Sequence, residues 1–249
     1  MEISMRKITL FVVLALGVVL GSMSVEAAST DVDLTAKDGT VLKATYMSPG
    51  RPGPAMLLVH QCNMDRTSWS GIATELVDAG VHVLTLDLRG FGDSEGEGMR
   101  GPGGFASFLE TSHADVDMAY AYLLSQSGVD QARVGAGGAS CGAMLTAELA
   151  SRQPALKALM LLSGPPSDQA VAHMAVSSSL AVFAAAATED TVTPGVAKTL
   201  QRAVEGSSHA RSVSKIYSGT EHGLPMFSKN ADLEPALTGW LKNELLSGR

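Results

Sequence analysis

The segment at residues 137–143 reads GGASCGA and places two nucleophiles, Ser140 and Cys141, side by side between glycines. A serine hydroxyl or a cysteine thiol attacks a carbonyl carbon when a neighbouring base activates it. The residues around the pair therefore decide which of the two is placed to react.

The spacing of the small residues favours Ser140 over Cys141. Centred on Ser140, the segment GASCG at 138–142 matches the pattern G-x-S-x-G. In that pattern the nucleophile lies on a sharp turn from a strand into a helix, and the glycines let the backbone pass without clashes. Centred on Cys141, the same positions hold Ala139 and Ala143, which fit less well. The alternative interpretation is a glycine-rich turn with a structural serine.

A nucleophilic serine needs a base, and the base needs a carboxylate that orients it. The segment after the next-to-last predicted strand offers Asp190, with Glu189 beside it. The segment after the last strand offers His222, with Glu221 beside it. Open parallel sheets bind their ligands at the carboxyl ends of the strands, so these residues can meet Ser140 there. We therefore predict a triad in the chain order serine, aspartate, histidine.

Acyl transfer also needs amide groups that stabilise the negative charge on the carbonyl oxygen. The residue after the nucleophile, Cys141, supplies one such amide in this type of site. The second comes from the loop QCNMDR after the apolar run ending at His60. By position we choose Cys62, with Gln61 next best.

Buried strands that alternate with helices predict the fold. The first two alternating runs flank the turn dipeptide Asp38-Gly39 and indicate a hairpin. The later strands and helices indicate a mostly parallel sheet of about eight strands, covered by helices on both faces. The further predicted strands lie at 54–60, 81–88, 132–139, 155–164, 178–190 and 211–219, and the helices at 69–79, 108–125, 140–152, 192–204 and 233–245. The fold class is therefore α/β with an antiparallel N-terminal hairpin.

The segment at residues 165–178, which connects two predicted strands, is too short to form a cap domain. We expect an open site, roofed at most by this segment and by the glycine-rich loop after Leu88. An open site with small walls suits a short-chain ester or an accessible acyl group.

Length and charge limit the classes of function. A chain of 249 residues is long enough for one sizeable domain. Its net charge of −7 repels phosphate backbones, so nucleic acid is excluded as a partner. The segment GEGMRG at 96–101 matches G-x-G-x-x-G but follows a loop and carries Glu97, so it does not indicate a nucleotide site. We expect no cofactor and no metal, and the oligomeric state stays open.

The N-terminus is typical of an export signal. Arg6 and Lys7 precede an apolar run at 8–21, and the small residues up to Ala27 resemble a cleavage site. We predict a signal peptide at 1–27 and a single domain at 28–249, in a periplasmic or secreted protein without stable membrane insertion. The alternative is an N-terminal membrane anchor that is retained.

Several segments, in order along nearly the whole mature chain, resemble the α/β-hydrolases. They are LLVHQCNMD, VLTLDLRGFGDSEG, GASCGA, EDTVTP and EHG. Within that superfamily the chain is similar to small lidless serine hydrolases such as dienelactone hydrolases and related serine esterases. The resemblance implies Ser140 as nucleophile, Asp190 as acid and His222 as base. It also implies the amides of Cys62 and Cys141 as the oxyanion hole.

Two departures from the family pattern affect these expectations. Gln61 stands where a glycine is common, which bears on the second oxyanion amide. Dienelactone hydrolases proper use a cysteine nucleophile, whereas the matching residue here is Ser140, so ester hydrolysis in general is indicated.

Two amides that share one oxyanion hole bring their α-carbons close together. We therefore predict that Cys62 and Cys141, the only two cysteines, form a disulfide after export. The alternative is a pair of partly buried free thiols. The function expected is that of a carboxylesterase acting on small or accessible acyl groups through an acyl-enzyme. A peptidase or thioesterase on the same triad, and an exported binding protein that has lost catalysis, are the alternatives.

Overall fold

A single eight-stranded sheet organises the chain in the computed structural model, which describes residues 28–247. The predicted signal peptide at 1–27 lies outside the described residues. The strands are β1 (Ala28–Thr35), β2 (Val41–Ser48), β3 (Gly53–Val59), β4 (His82–Leu86), β5 (Val129–Ala139), β6 (Ala158–Leu162), β7 (Ala181–Ala187) and β8 (Val213–Tyr217).

The sheet has the mixed topology that the alternation of strands and helices predicts. Its strand order is β1-β2-β4-β3-β5-β6-β7-β8. The first two strands form an antiparallel hairpin around Asp38-Gly39, and β2 pairs antiparallel with β4. Every pairing from β4 to β8 is parallel. The carboxyl ends of the parallel strands therefore share one edge of the sheet.

Helices cover both faces of the sheet. They are α1 (Ser70–Ala79), α2 (Gly104–Ser125), α3 (Cys141–Arg152), α4 (Asp168–Val176), α5 (Val196–Glu205), α6 (Met226–Lys229) and α7 (Leu233–Leu246). Side chains alternate along each strand, so Leu57 and Val59 join the core under α2–α5, whereas Met56 and Leu58 join the core under α1 and α7. Each buried strand therefore supplies two separate cores.

The helix boundaries differ from the sequence prediction at two glycine-rich points. Helix α2 begins at Gly104, four residues before the predicted start, because the chain enters the helix directly from Gly103 in a left-handed conformation (φ 84°). Helix α5 begins at Val196 after Gly195, so Pro194 precedes the helix and does not lie in its first turn. Between β6 and β7 the only helix is α4, of nine residues, which agrees with the absence of a cap.

Two buried ion pairs hold the loop after β4. Arg66 contacts Asp87, whose side chain is fully buried, and also reaches Asp93. Arg89 makes a two-pronged contact with Asp115, at 2.6 and 2.7 Å. These arginines therefore fix the loop beside the sheet edge.

His60 joins the ends of β3 and β4. Its Nδ1 donates to the carbonyl of Gln61 at 2.8 Å, and its Nε2 accepts from the amide of Leu88 at 3.0 Å. Both bonds together require the neutral imidazole. Burial agrees with this state, since it lowers the pKa of His60. The loop that follows β3 is thereby anchored before it reaches Cys62.

Candidate active site

Ser140 lies on the turn between β5 and α3 in an unusual backbone conformation. Its φ is 52° and its ψ is −121°, and α3 begins at the next residue. The amide of Ser140 donates to the carbonyl of Leu162 at 2.7 Å, which secures the turn to the neighbouring strand. Non-glycine residues with such dihedrals are costly and concentrate at functional sites.

Close backbone packing explains the glycines around Ser140. A Cβ at Gly138 would collide with the backbone of Gly142, and a Cβ at Gly142 would collide with the carbonyl oxygens of Val59 and His60. Helix α3 therefore starts in contact with the end of β3. This is the close approach for which the G-x-S-x-G spacing selects glycine.

Asp190 and His222 meet beside this turn. His222 Nδ1 lies 2.7 Å from Asp190 Oδ2, and the other carboxylate oxygen accepts the amides of Val192 and Thr193 at 2.9 and 2.8 Å. Asp190 is 3% exposed, whereas its neighbour Glu189 is exposed. The backbone amides that follow Asp190 therefore hold its carboxylate in place, and the carboxylate orients the imidazole of His222.

A cavity of about 660 Å³ joins Ser140 and His222. The Nε2 atom of His222 is buried and has no hydrogen-bond partner among residues 28–247. Catalytic hydrogen bonds are often loose in the unliganded state and tighten when substrate binds. The arrangement leaves Nε2 available for a proton from a group in the cavity.

A disulfide joins Cys62 to Cys141, with their α-carbons 5.8 Å apart. Cys141 is 1% exposed, so of the two adjacent nucleophiles only Ser140 lines the cavity. Cys141 is also the first residue of α3, and the first amides of a helix have no intrahelical partner. The structure thus brings together the two residues whose amides were predicted to share an oxyanion hole.

Gln61 connects the loop after β3 to the loop that carries His222. Its Oε1 accepts from the amide of Leu224 at 2.9 Å, and its Nε2 donates to Asn63 Oδ1 at 2.7 Å. Gly223 has a φ of 66°, and a Cβ there would collide with the Gln61 amide. The residue that departs from the family pattern therefore positions two loops through its side chain.

The walls of the cavity are larger than the sequence analysis expected. The site is open, but the apolar side chains of Met99, Phe105, Met144 and Val192 line it, so the expectation of small walls is wrong. These residues come from two loops and two helices, and they lack a shared motif. Ser163, which also lines the cavity and has a positive φ of 50°, was likewise not identified from the sequence.

The remaining histidines lie outside this cavity. His82 is buried and contacts the Tyr46 hydroxyl and the Arg51 carbonyl. His113 is half-buried on α2. Within residues 28–247, no cluster of three or more histidine, cysteine, aspartate or glutamate side chains could hold a metal ion. No helix in this range is both long and apolar enough to span a membrane.

Comparison with known proteins decides the family. The family profile described as alpha/beta hydrolase fold matches residues 54–230, which contain the nucleophile turn, Asp190 and His222. The chain belongs to the alpha/beta hydrolase fold family. The superfamily and the fold class predicted from the sequence motifs are therefore confirmed.

Two curated relatives come from Mycobacterium tuberculosis, and both are described as uncharacterized proteins. Each is 33% identical to the α/β-hydrolase over 151 residues, which is 60% of this chain and 50% of the relative. The match thus spans about half the length of these relatives, and their names assign no activity.

Solved structures share the fold over most of the chain. The esterase Pf2001 of Pyrococcus furiosus superposes with a TM-score of 0.69 and 15% identity, covering 88% of this chain and 94% of that chain. A putative dienelactone hydrolase of Klebsiella pneumoniae superposes with a TM-score of 0.64 and 17% identity, covering 87% and 98%. At such identities the likeness extends to the fold alone.

The disulfide leads to the first prediction. Denatured protein kept free of reductant should show no free thiol, and two thiols should appear after reduction. Reduction should also lower the free energy of unfolding by about 4 kcal/mol in the chain-entropy model, because the bond closes a long loop. A double variant, Cys62→Ser with Cys141→Ser, should be insensitive to reductant. Two free thiols in the unreduced protein would contradict the pairing.

Gln61 leads to the second prediction. Gln61→Leu leaves the Leu224 amide without its acceptor, and an unsatisfied buried donor costs about 1–3 kcal/mol. The rate of Ser140 labelling by a fluorophosphonate should fall about tenfold or more, with little change in reagent affinity. Gln61→Glu keeps an acceptor oxygen but loses the donor to Asn63 and buries a charge, so it should not restore the wild-type rate. Equal labelling rates in Gln61→Leu and wild type, with both folded, would show that Gln61 does not position the site.

Proposed function

We propose that the protein is an exported serine hydrolase that cleaves carboxylic esters with accessible acyl groups. The observation that carries the proposal is the 2.7 Å bond between His222 Nδ1 and Asp190 Oδ2, beside Ser140 on its strained turn. The esterases among the structural neighbours support this class, although they are distant in sequence. No cofactor takes part in the reaction we propose.

The first half of the reaction forms an acyl-enzyme. His222 Nε2 takes the hydroxyl proton of Ser140 while the Oγ attacks the acyl carbon of the ester. Asp190 holds the imidazole with Nε2 facing the cavity and stabilises the imidazolium that forms. The C–O bond to the alcohol then breaks, and the imidazolium gives its proton to the departing oxygen.

The negative charge on the carbonyl oxygen needs amide donors during the attack. We assign the backbone amides of Cys62 and Cys141 to this role, and the disulfide between them keeps the two loops at a fixed separation. Preorganised donors of this kind lower the barrier because they need no rearrangement when the charge develops. In the proposed reaction the disulfide therefore stabilises the transition state by holding the two amides in place.

Water completes the cycle. His222 removes a proton from a water molecule, whose oxygen attacks the acyl carbon, and the Ser140 oxygen leaves and regains a proton. The carboxylic acid departs and the enzyme returns to its starting state. The same steps accommodate an amide or a thioester, so a peptidase or thioesterase is distinguished by the leaving group that the enzyme accepts.

Two features support export. The N-terminal 27 residues read as a signal peptide, and a disulfide persists in oxidising compartments and is rare in the cytosol. Periplasmic or secreted protein should therefore begin near Ala28. A retained anchor would instead leave the full N-terminus in the membrane fraction.

The third prediction tests the nucleophile. A fluorophosphonate should label Ser140, as mapped by mass spectrometry, and should leave the other cavity serine, Ser163, unmodified. Ser140→Ala should lower the turnover of p-nitrophenyl acetate by on the order of 10⁴–10⁶. A loss below tenfold, or a folded protein that takes no label, would contradict the proposal and favour a binding protein. Aminoacyl anilides and acyl thioesters tested in parallel identify the preferred leaving group.

The fourth prediction separates the two adjacent acidic residues. Asp190→Asn keeps the shape of the side chain but stabilises the wrong tautomer of His222, so kcat should fall by about 10⁴. Glu189→Gln removes a charge at the neighbouring exposed position and should leave kcat within about twofold of wild type. Comparable losses of kcat in the two variants would show that the Asp190 carboxylate acts through its charge alone and not by orienting His222.

A further inference from the structure

A second cavity of about 430 Å³ lies next to the one that contains Ser140. Its lining residues come from α2, α3 and the segment before α4. They are Ala106, Leu109, Glu110, His113, Met144, Glu148, Pro165, Pro166 and Ser167. The apolar members give this cavity a wall suited to hydrocarbon.

The two cavities share two of their lining residues, Met144 and Pro165. Both cavities therefore lie against the same pair of side chains and are neighbours along α3 and the segment before α4. Methionine is flexible and unbranched, so Met144 can adapt to a chain that lies across it. The adjacent residues Phe105 and Ala106 continue the connection, since Phe105 lines the first cavity and Ala106 the second.

Exposed apolar side chains surround the first cavity. In the part of the chain that the structure describes, four large hydrophobic residues are exposed, and Met99, Phe105 and Val192 are the three that line this cavity. Exposed hydrophobic residues that gather in one place mark a site that binds apolar matter. The mouth is therefore suited to a substrate with a hydrocarbon part.

The position of His222 indicates which part of an ester enters the second cavity. His222 must protonate the leaving alcohol, so the alcohol lies on the side of the loops that carry Asp190 and His222. All residues of the second cavity come instead from α2, α3 and the segment before α4. An acyl chain directed away from His222 meets this cavity first.

We infer that the two cavities form one acyl-binding groove that accepts a linear, apolar acyl chain of medium length. The inference rests on the proposed esterase function and gives its substrate class. Glu148 lies eight residues after Ser140 on α3, a distance of about 12 Å at the rise of an α-helix. An extended chain advances about 1.2 Å per bond, so roughly eight to ten carbons fill the groove.

The fifth prediction is a chain-length preference that a single substitution removes. With p-nitrophenyl esters from acetate to decanoate, below micelle formation, kcat/KM should rise about threefold per methylene until octanoate or decanoate. Ala106→Trp fills the second cavity and should reduce kcat/KM for the octanoate ester to the value for the butyrate ester. Ala121→Trp, an exposed site on the same helix that lines neither cavity, should retain the preference. A flat profile in wild type, with active enzyme, would overturn the inference.

A binding measurement separates the groove from the esterase proposal. In Ser140→Ala protein, decanoate should bind at least tenfold more tightly than butyrate by calorimetry, and Ala106→Trp should abolish the difference. If no ester is hydrolysed but this result holds, the groove stands and the esterase proposal fails. If decanoate shows no advantage, or if the length preference appears with alkyl acetates instead of acyl esters, the groove is wrong even where hydrolysis proceeds.

Discussion

The turn at Ser140 is the constraint on which the rest of the site depends. A residue with a Cβ holds a φ of 52° there, in a conformation that the surrounding structure must enforce. Two contacts hold Ser140 in this conformation. The Leu162 carbonyl accepts a hydrogen bond from the Ser140 amide, and Gly142 packs directly on the end of β3. The strained turn thus fixes α3 against β3, and every other element of the site is placed relative to that contact.

Three connections then tie the loops of the sheet edge to this turn. The disulfide joins the loop after β3 to the first residue of α3. Gln61 joins that same loop to the segment after His222, and Asp190 joins His222 to the loop after β7. Each connection ends on a group proposed for catalysis or on a residue next to one. A displacement of one loop would therefore displace the catalytic groups on the others. The site is therefore a series of segments, far apart in sequence, that covalent and hydrogen bonds join one to the next.

The sequence predicted what local chemistry determines and missed what tertiary contact determines. Short segments of sequence are enough to predict three features: the Asp38-Gly39 hairpin, the alternation of strands and helices, and the glycines around Ser140. Asp190 and His222 followed from the rule that strand ends share one edge. The contact of Gln61 with Leu224 joins residues 163 apart and has no local signal. Met99 and Val192 also needed the fold before their common cavity became visible.

This division follows from how the site is made. Proton transfer tolerates little displacement, and the three residues proposed for it lie on a strained turn and just after strand ends, where the sheet fixes the backbone. Recognition of an acyl chain needs only apolar surface of the right length, and loops and helix faces supply it without a fixed motif. Met144 belongs to both systems, since it lies one turn after Ser140 on α3 and lines both cavities. In the proposed esterase, α3 therefore has two roles, because it directly follows the nucleophile and lines both parts of the inferred acyl-binding groove.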